Sequence, residues 1–232
     1  MAKWIELEWR KLQTKKVIGE AVVYWVILMF LPVVFLRSDF ASATGVSIGE
    51  SYASAMDLML PIQMGFLLFG ASLINHVFIE EYKNRTMALS FGYPLSRRKL
   101  VVAKVLFIAL AVFFCTIVSF VLAGITTYGF DLALDIIEGT PTAADFANYA
   151  VRTIIHSAEV ALASLIPLFF FGLWRRAVIM TVVCAISLMQ LPNVLAMFGI
   201  AFNPDLLYAV LSLVGLASVY LSVRFVNKVG DL

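Results

Sequence analysis

Six times along this chain, twenty or more residues pass with at most a few charges: about 17–36, 56–79, 101–127, 149–173, 177–200 and 206–225. A hydrocarbon layer about 30 Å thick is crossed by about 20 helical residues. With no water to bond backbone N–H and C=O groups inside that layer, each run must satisfy its own, which an α-helix does. Barrel strands are shorter, about 10 residues of alternating polarity, and these runs are continuously apolar. Composition agrees, with 62% hydrophobic and 14% charged residues, against about 45–50% and about 25% in soluble domains. The expectation is an all-α integral membrane protein of six transmembrane helices, with residues 1–232 forming one membrane domain.

Direction follows from the basic residues, which collect in cytoplasmic loops. Of 17 Lys and Arg, only Arg37 and Arg152 fall on one side of the predicted topology; the other 15 share the opposite side. Acids lean the other way, through Asp39, Glu50, Asp57, Asp131, Asp135, Glu138, Asp145 and Asp205. Both termini are therefore expected in the cytoplasm, as an even number of spans also requires. A net charge of +2 gives no case for nucleic acid. Cys115 and Cys184 lie within apolar runs and read as small packing residues.

The N-terminus carries charges through Lys16, and no small-residue cleavage site closes the apolar run after it, so the run reads as a retained span. In residues 1–16, Trp4, Ile5, Trp9 and Leu12 share one side of a helical wheel. This predicts a helix lying on the inner leaflet, tryptophans at headgroup depth and lysines over anionic lipid.

Between the second and third spans runs the longest cytoplasmic loop, from Glu80, Glu81, Tyr82, Lys83, Asn84, Arg85 and Thr86 to Pro94, Leu95, Ser96, Arg97, Arg98 and Lys99. A connector needs only a few polar residues. Met87, Leu89, Phe91 and Tyr93 instead predict a surface that a partner covers.

The segment resembles the matching part of the type-2 ABC-transporter permeases. The resemblance rests on Glu80 and Glu81, then Arg85-Thr86, then Pro94-Leu95-Ser96-Arg97, then Lys104 at the start of the third span. The six spans, internal termini and interfacial helix match as topology. The compact length is similar to the branch that handles bacteriocins, lantibiotics and other amphipathic peptides. The resemblance implies a permease subunit of an ATP-driven exporter in a bacterial cell membrane, paired with a second permease chain, identical or related. Two copies of a cytoplasmic ABC ATPase would carry ATP and magnesium. The loop would hold the coupling helix that docks on the ATPase, through Glu80, Glu81, Tyr82, Lys83, Asn84, Arg85, Thr86, Pro94, Ser96, Arg97 and Arg98. The chain holds no Gly-x-x-x-x-Gly-Lys-Ser/Thr motif, so no nucleotide site, catalytic residue, cofactor or metal is expected on it.

In the fourth span, Arg152, His156 and Glu159 share a helix face near the outer end. They read as a self-satisfied polar cluster at the rim, as part of a peptide exit path or as a proton relay. Gln190-Leu191-Pro192-Asn193 interrupts the fifth span, which is then either broken at Pro192 or continuous, and Pro61 and Pro167 are kink candidates in the second and fourth. Two other function classes remain. One is a non-transporting membrane scaffold. The other is an intramembrane CAAX-protease-like enzyme, suggested by Glu80-Glu81-Tyr82-Lys83-Asn84-Arg85. That chemistry needs histidines near the carboxylates, whereas His156 is expected near the opposite face.

Overall fold

A computed structural model describes residues 14–37, 52–83, 97–134, 136–137, 139–199 and 203–228. Among these there is no strand. Five helices are long and apolar enough to cross a membrane, and a bent pair makes a sixth crossing. The interfacial helix expected over residues 1–16 lies outside the described residues, except that Thr14–Lys16 open the first span.

That span, α1, runs Thr14–Arg37. The second crossing is segmented into α2, Tyr52–Gln63, and α3, Phe66–Ile74, then a π-helical stretch Asn75–Ile79 and a final turn, α4, Glu80–Lys83. The third, α5, spans Arg97–Leu134. The fourth is α6, Ala143–Ala163, continued after a 40° bend by a π-helical stretch Leu168–Trp174. The last two are α7, Val178–Met197, and α8, Pro204–Lys228.

Several boundaries differ from the hydropathy reading. Helix α5 has 38 residues, about 57 Å at 1.5 Å per residue, so it overruns a 30 Å layer. Asp131 ends it: its carboxylate accepts the N–H groups of Ile136 at 3.0 Å and Ile137 at 2.7 Å and the Tyr52 hydroxyl. Helix α6 starts early because Thr142 and Asp145 form a capping box, each side chain accepting the other's backbone N–H. Glu80–Lys83 and Arg97–Lys99, read as loop, are helical; Asn84–Ser96 lie outside the described residues.

At Pro192, where the sequence leaves the fifth span either continuous or broken, α7 is one helix from Val178 to Met197 with the proline inside it. The fourth crossing is the broken one. Around Pro167, Leu165 N–H bonds Leu162 O and Leu168 N–H bonds Leu165 O in tight turns, and the Ser164 hydroxyl bonds back to Ala161 O at 2.8 Å. Ser218 on α8 reaches into this break. Its hydroxyl donates to Ile166 O at 3.0 Å and accepts Phe169 N–H at 3.2 Å.

The second crossing forms the centre. Phe66, Phe69, Leu73, Ile74 and Phe78 are wholly or nearly wholly buried. Small residues set the closest approaches, as membrane interfaces favour. A Cβ on Gly215 of α8 would collide with the Leu162 carbonyl, and one on Gly70 of α3 with Ser164. Helix α1 is tied to α5 by Trp25 Nε1 donating to Cys115 O at 2.9 Å and the Thr126 hydroxyl donating to Met29 O at 2.8 Å. The outward faces, such as Val23, Ile27 and Val34 of α1 and Ile179, Val183 and Ile186 of α7, are apolar and exposed; a bilayer is the solvent that suits them.

Candidate functional site

Two polar clusters sit at opposite ends of the bundle. The first surrounds the end of the second crossing, where the sequence placed the docking loop. Lys104, on the first turns of α5, is wholly buried. Its ammonium lies 2.8 Å from Glu81 Oε1, donates to Val77 O at 3.1 Å and sits 5.7 Å from the Phe78 ring centre. A charge so buried persists only with partners of this kind. Val77 belongs to the π-helical stretch, in which Glu80 N–H reaches back to Asn75 O. Such wide turns are frequent at functional sites.

One turn earlier, His76 lies between two carboxylates: Glu80 at 3.1 Å from Nδ1 and Glu20 of α1 at 3.5 Å from Nε2. A neutral imidazole donates from one nitrogen and the cation from both. Glu20 also accepts the Ser72 hydroxyl at 2.7 Å. The Arg176 guanidinium stacks 4.3 Å from the Tyr82 ring centre. Arg176 has φ +53°, the left-handed region, where the second π-helical stretch ends: Arg175 N–H bonds Phe170 O and Ala177 N–H bonds Phe171 O. The two π-helical stretches lie close together: a Cβ on Gly172 would meet Ile74 Cγ2 at 3.0 Å. Glu81, His76 with Glu80, and Tyr82 thus fasten the end of the second crossing to α5, α1 and the connector before α7. Of the residues assigned to the loop, Lys83 is exposed on the last helical turn and Arg97 and Arg98 open α5. Asn84, Arg85, Thr86, Pro94 and Ser96 lie outside the described residues.

Sequence reasoning missed Glu20 and Arg176. Glu20 was legible as a lone acid inside an apolar run; the left-handed Arg176 left no sequence signal.

The second cluster gathers Arg152, His156 and Glu159 at the opposite end. His156 is buried. Its Nε2 lies 3.0 Å from the Leu60 carbonyl, which can only accept, and its Nδ1 lies 3.3 Å from Glu159. Its ring packs on Tyr208, centres 4.6 Å apart. Arg152 instead reaches α2 and pairs with Asp57. All three line one cavity of about 310 Å³ with Asp205. Adjoining cavities of about 380 Å³ and 210 Å³ also hold Arg152 and Asp57, the larger bounded by Pro192, Asn193 and Tyr208 and the smaller by Asp145. Asp145, on the first turn of α6 and ahead of the apolar run that starts at about residue 149, has its carboxyl held below the usual aspartate range by hydrogen bonds from Thr142. The rim thus sets Asp57, Asp145, Glu159 and Asp205 around a single guanidinium. Glu80 and Glu81 pair with His76 and Lys104, and His156 pairs with Glu159, so the two glutamates of the protease-like string are not brought to His156.

Residues 40–227 match the family described as ABC-2 family transporter protein. The chain is also similar to the uncharacterized protein YcbO of Bacillus subtilis (strain 168), 29% identical over 215 residues, which cover 86% of this chain and 93% of that protein. No solved structure matches.

Proposed function

We propose, on the premise that this chain belongs to the ABC-2 family of transporter proteins, that it is the permease subunit of an ATP-driven exporter of hydrophobic or amphipathic peptides, among them toxins, bacteriocins and antimicrobial peptides. The family implies an ATPase partner in general. The specific arrangement proposed is two copies of a cytoplasmic ABC ATPase, binding ATP and magnesium, beneath two permease chains in a bacterial plasma membrane. The positive-inside charge distribution supports an arrangement with both termini on the ATPase side.

The observation that carries the reading is the fastening at the basic end. A docked segment transmits displacement only when its root is rigidly joined to the elements it moves. Glu81 to Lys104, Glu80 through His76 to Glu20, and Tyr82 to Arg176 join the root of Asn84–Ser96 to three neighbouring elements. A push on that segment therefore reaches the first, third and fifth spans, not the second alone. At the other end, four carboxylates around Arg152 favour a cationic amphipathic cargo.

The test is co-purification from native membranes in mild detergent, with single cysteines placed between residues 84 and 96 for cross-linking. An ATPase subunit should accompany the chain and cross-link through that segment. Peptide should stimulate hydrolysis in the reconstituted complex. A chain that purifies alone, cross-links to no ATPase and moves no peptide is a scaffold, and the proposal fails.

A further inference from the structure

We infer that a cavity between the second, third and fourth crossings, near the acidic end, holds one acyl chain of a membrane lipid, with the Thr127 hydroxyl donating to its ester carbonyl. The inference goes beyond the transport reading and does not depend on it.

The cavity has a volume of about 380 Å³ and is walled by Met56, Met59, Val121, Ile125 and Phe146. An apolar cavity of about 150 Å³ accommodates benzene. Scaling by volume gives room for about fifteen carbons, one acyl chain. A helical peptide, about 10 Å across with its side chains, does not fit. The mouth faces lipid, since Ile125 is 64% and Phe146 54% exposed on the outside of the bundle. The roof is Ile137, 2% exposed, pinned by its N–H bond to Asp131. The far wall is fixed by Tyr149, whose hydroxyl donates to Phe120 O. Gly124 leaves the gap beside it, where a Cβ would meet the Tyr149 ring at 3.0 Å. Two methionines give the lining a surface that adapts to a flexible chain.

Thr127 supplies the polar handle. It lines the cavity and is 5% exposed, yet its hydroxyl has no hydrogen-bond partner among the described residues. A helical threonine ordinarily bonds back to the carbonyl four residues earlier. On the same helix Thr116 does so to Val112 O at 2.8 Å, and Thr126 shares its one proton between Leu122 O at 2.9 Å and Met29 O at 2.8 Å. Thr127 alone of the three is left with a donor to offer, and a buried donor calls for an acceptor. It lies one helical turn, about 6 Å, from Asp131 and the capped end of α5. That is just below the polar boundary, where a phospholipid carries its ester groups. An acyl ester therefore matches both parts of the site, hydrocarbon in the cavity and carbonyl at the hydroxyl.

The experiment uses the full chain in phosphatidylcholine nanodiscs containing a phosphatidylcholine with a diazirine midway along one acyl chain. Labelled residues are mapped by mass spectrometry. Met56 and Met59 should label several-fold above Ile179 and Val183, which face bulk lipid on α7. Ala55→Phe, which fills the cavity, should return Met56 and Met59 to the α7 level. Thr127→Val keeps the volume and guards against a folding defect in the first variant. Wild type should favour the ester-linked lipid over its ether analogue by about fivefold, one hydrogen bond's worth, and Thr127→Val should remove that preference. Uniform labelling, labelling indifferent to Ala55→Phe in a folded protein, or displacement of the label by a cationic amphipathic peptide would each overturn the inference.

Discussion

Replacing Lys104 with Met tests whether the end of the second crossing is fastened as described. The ammonium is wholly buried and the Glu81 side chain 16% exposed. Removing one partner of a buried pair leaves the other charge uncompensated, at a cost of about 3–5 kcal/mol. Residual water at Glu81 places the expectation near the lower end. The Val77 carbonyl also loses a donor, adding about 1 kcal/mol. Lys104→Met should therefore lower unfolding free energy by about 4 kcal/mol, close to a thousandfold in the folded-to-unfolded ratio. The double variant Lys104→Met with Glu81→Gln removes both charges and keeps the volume. It should recover all but about 1 kcal/mol, because replacing both members of a buried pair is often near neutral. Reversible unfolding in bicelles, run as a full double-mutant cycle, measures the coupling directly. A single variant costing under about 1 kcal/mol, or a double variant no better than the sum of the singles, refutes the claim that this pair carries the connection.

Ser218→Ala should destabilise by about 1–2 kcal/mol, because it strips partners from Ile166 O and Phe169 N–H at the break; hydrogen exchange should rise at Phe169 in particular. Arg176 holds a left-handed backbone and a contact with Tyr82. Arg176→Ala loses the contact and keeps the strain, whereas Arg176→Gly loses both, so the glycine variant should be the more stable of the two by about 1 kcal/mol in the same unfolding assay. At Asp145 the folded carboxyl is held low by its Thr142 bonds. Its capping contribution is thus fully present above the ordinary aspartate value of about 4 and is lost as pH falls through the lowered one. Amide protection at the start of α6 should be flat near neutrality, fall only in acid, and in Thr142→Ala lose that acid step.

The crossings were legible because solvent and length decide them: every apolar run of twenty or more residues lies in a crossing. The polar clusters were legible only where spacing is local. Arg152, His156 and Glu159 share a face by helical period, but the pairing of Arg152 with Asp57 depends on how α2 lies against α6, which no spacing encodes. Lys104 could be picked out as a charge at the start of a span. That it would be wholly buried against Glu81 depends on the wide π-helical turn at Asn75–Ile79, and that turn has no residue signature. Thr127 is the extreme case. Its sequence context is ordinary, and only the combination of an unbonded hydroxyl with a place on a cavity wall sets it apart.

The prolines show why helix breaks resist a sequence reading. Each removes one N–H and strands the carbonyl four residues earlier, so Pro167 and Pro192 weaken their helices alike. Whether the helix then breaks is decided by its surroundings. Pro167 is buried where α8 passes closest to α6, and there Ser218 supplies both a donor and an acceptor, so the chain can leave the helical ladder without stranding further groups. Pro192 lies about one and a half turns from the end of α7 beside a cavity that it lines with Asn193 and Asp205. No side chain among the described residues there takes over the backbone groups that a break would release; Asn193 is occupied with Gln190, 2.7 Å away. One carbonyl without its helical donor costs less than the several a broken ladder would expose, and α7 continues. A proline marks where a transmembrane helix is weak, and the neighbouring helix decides whether it breaks.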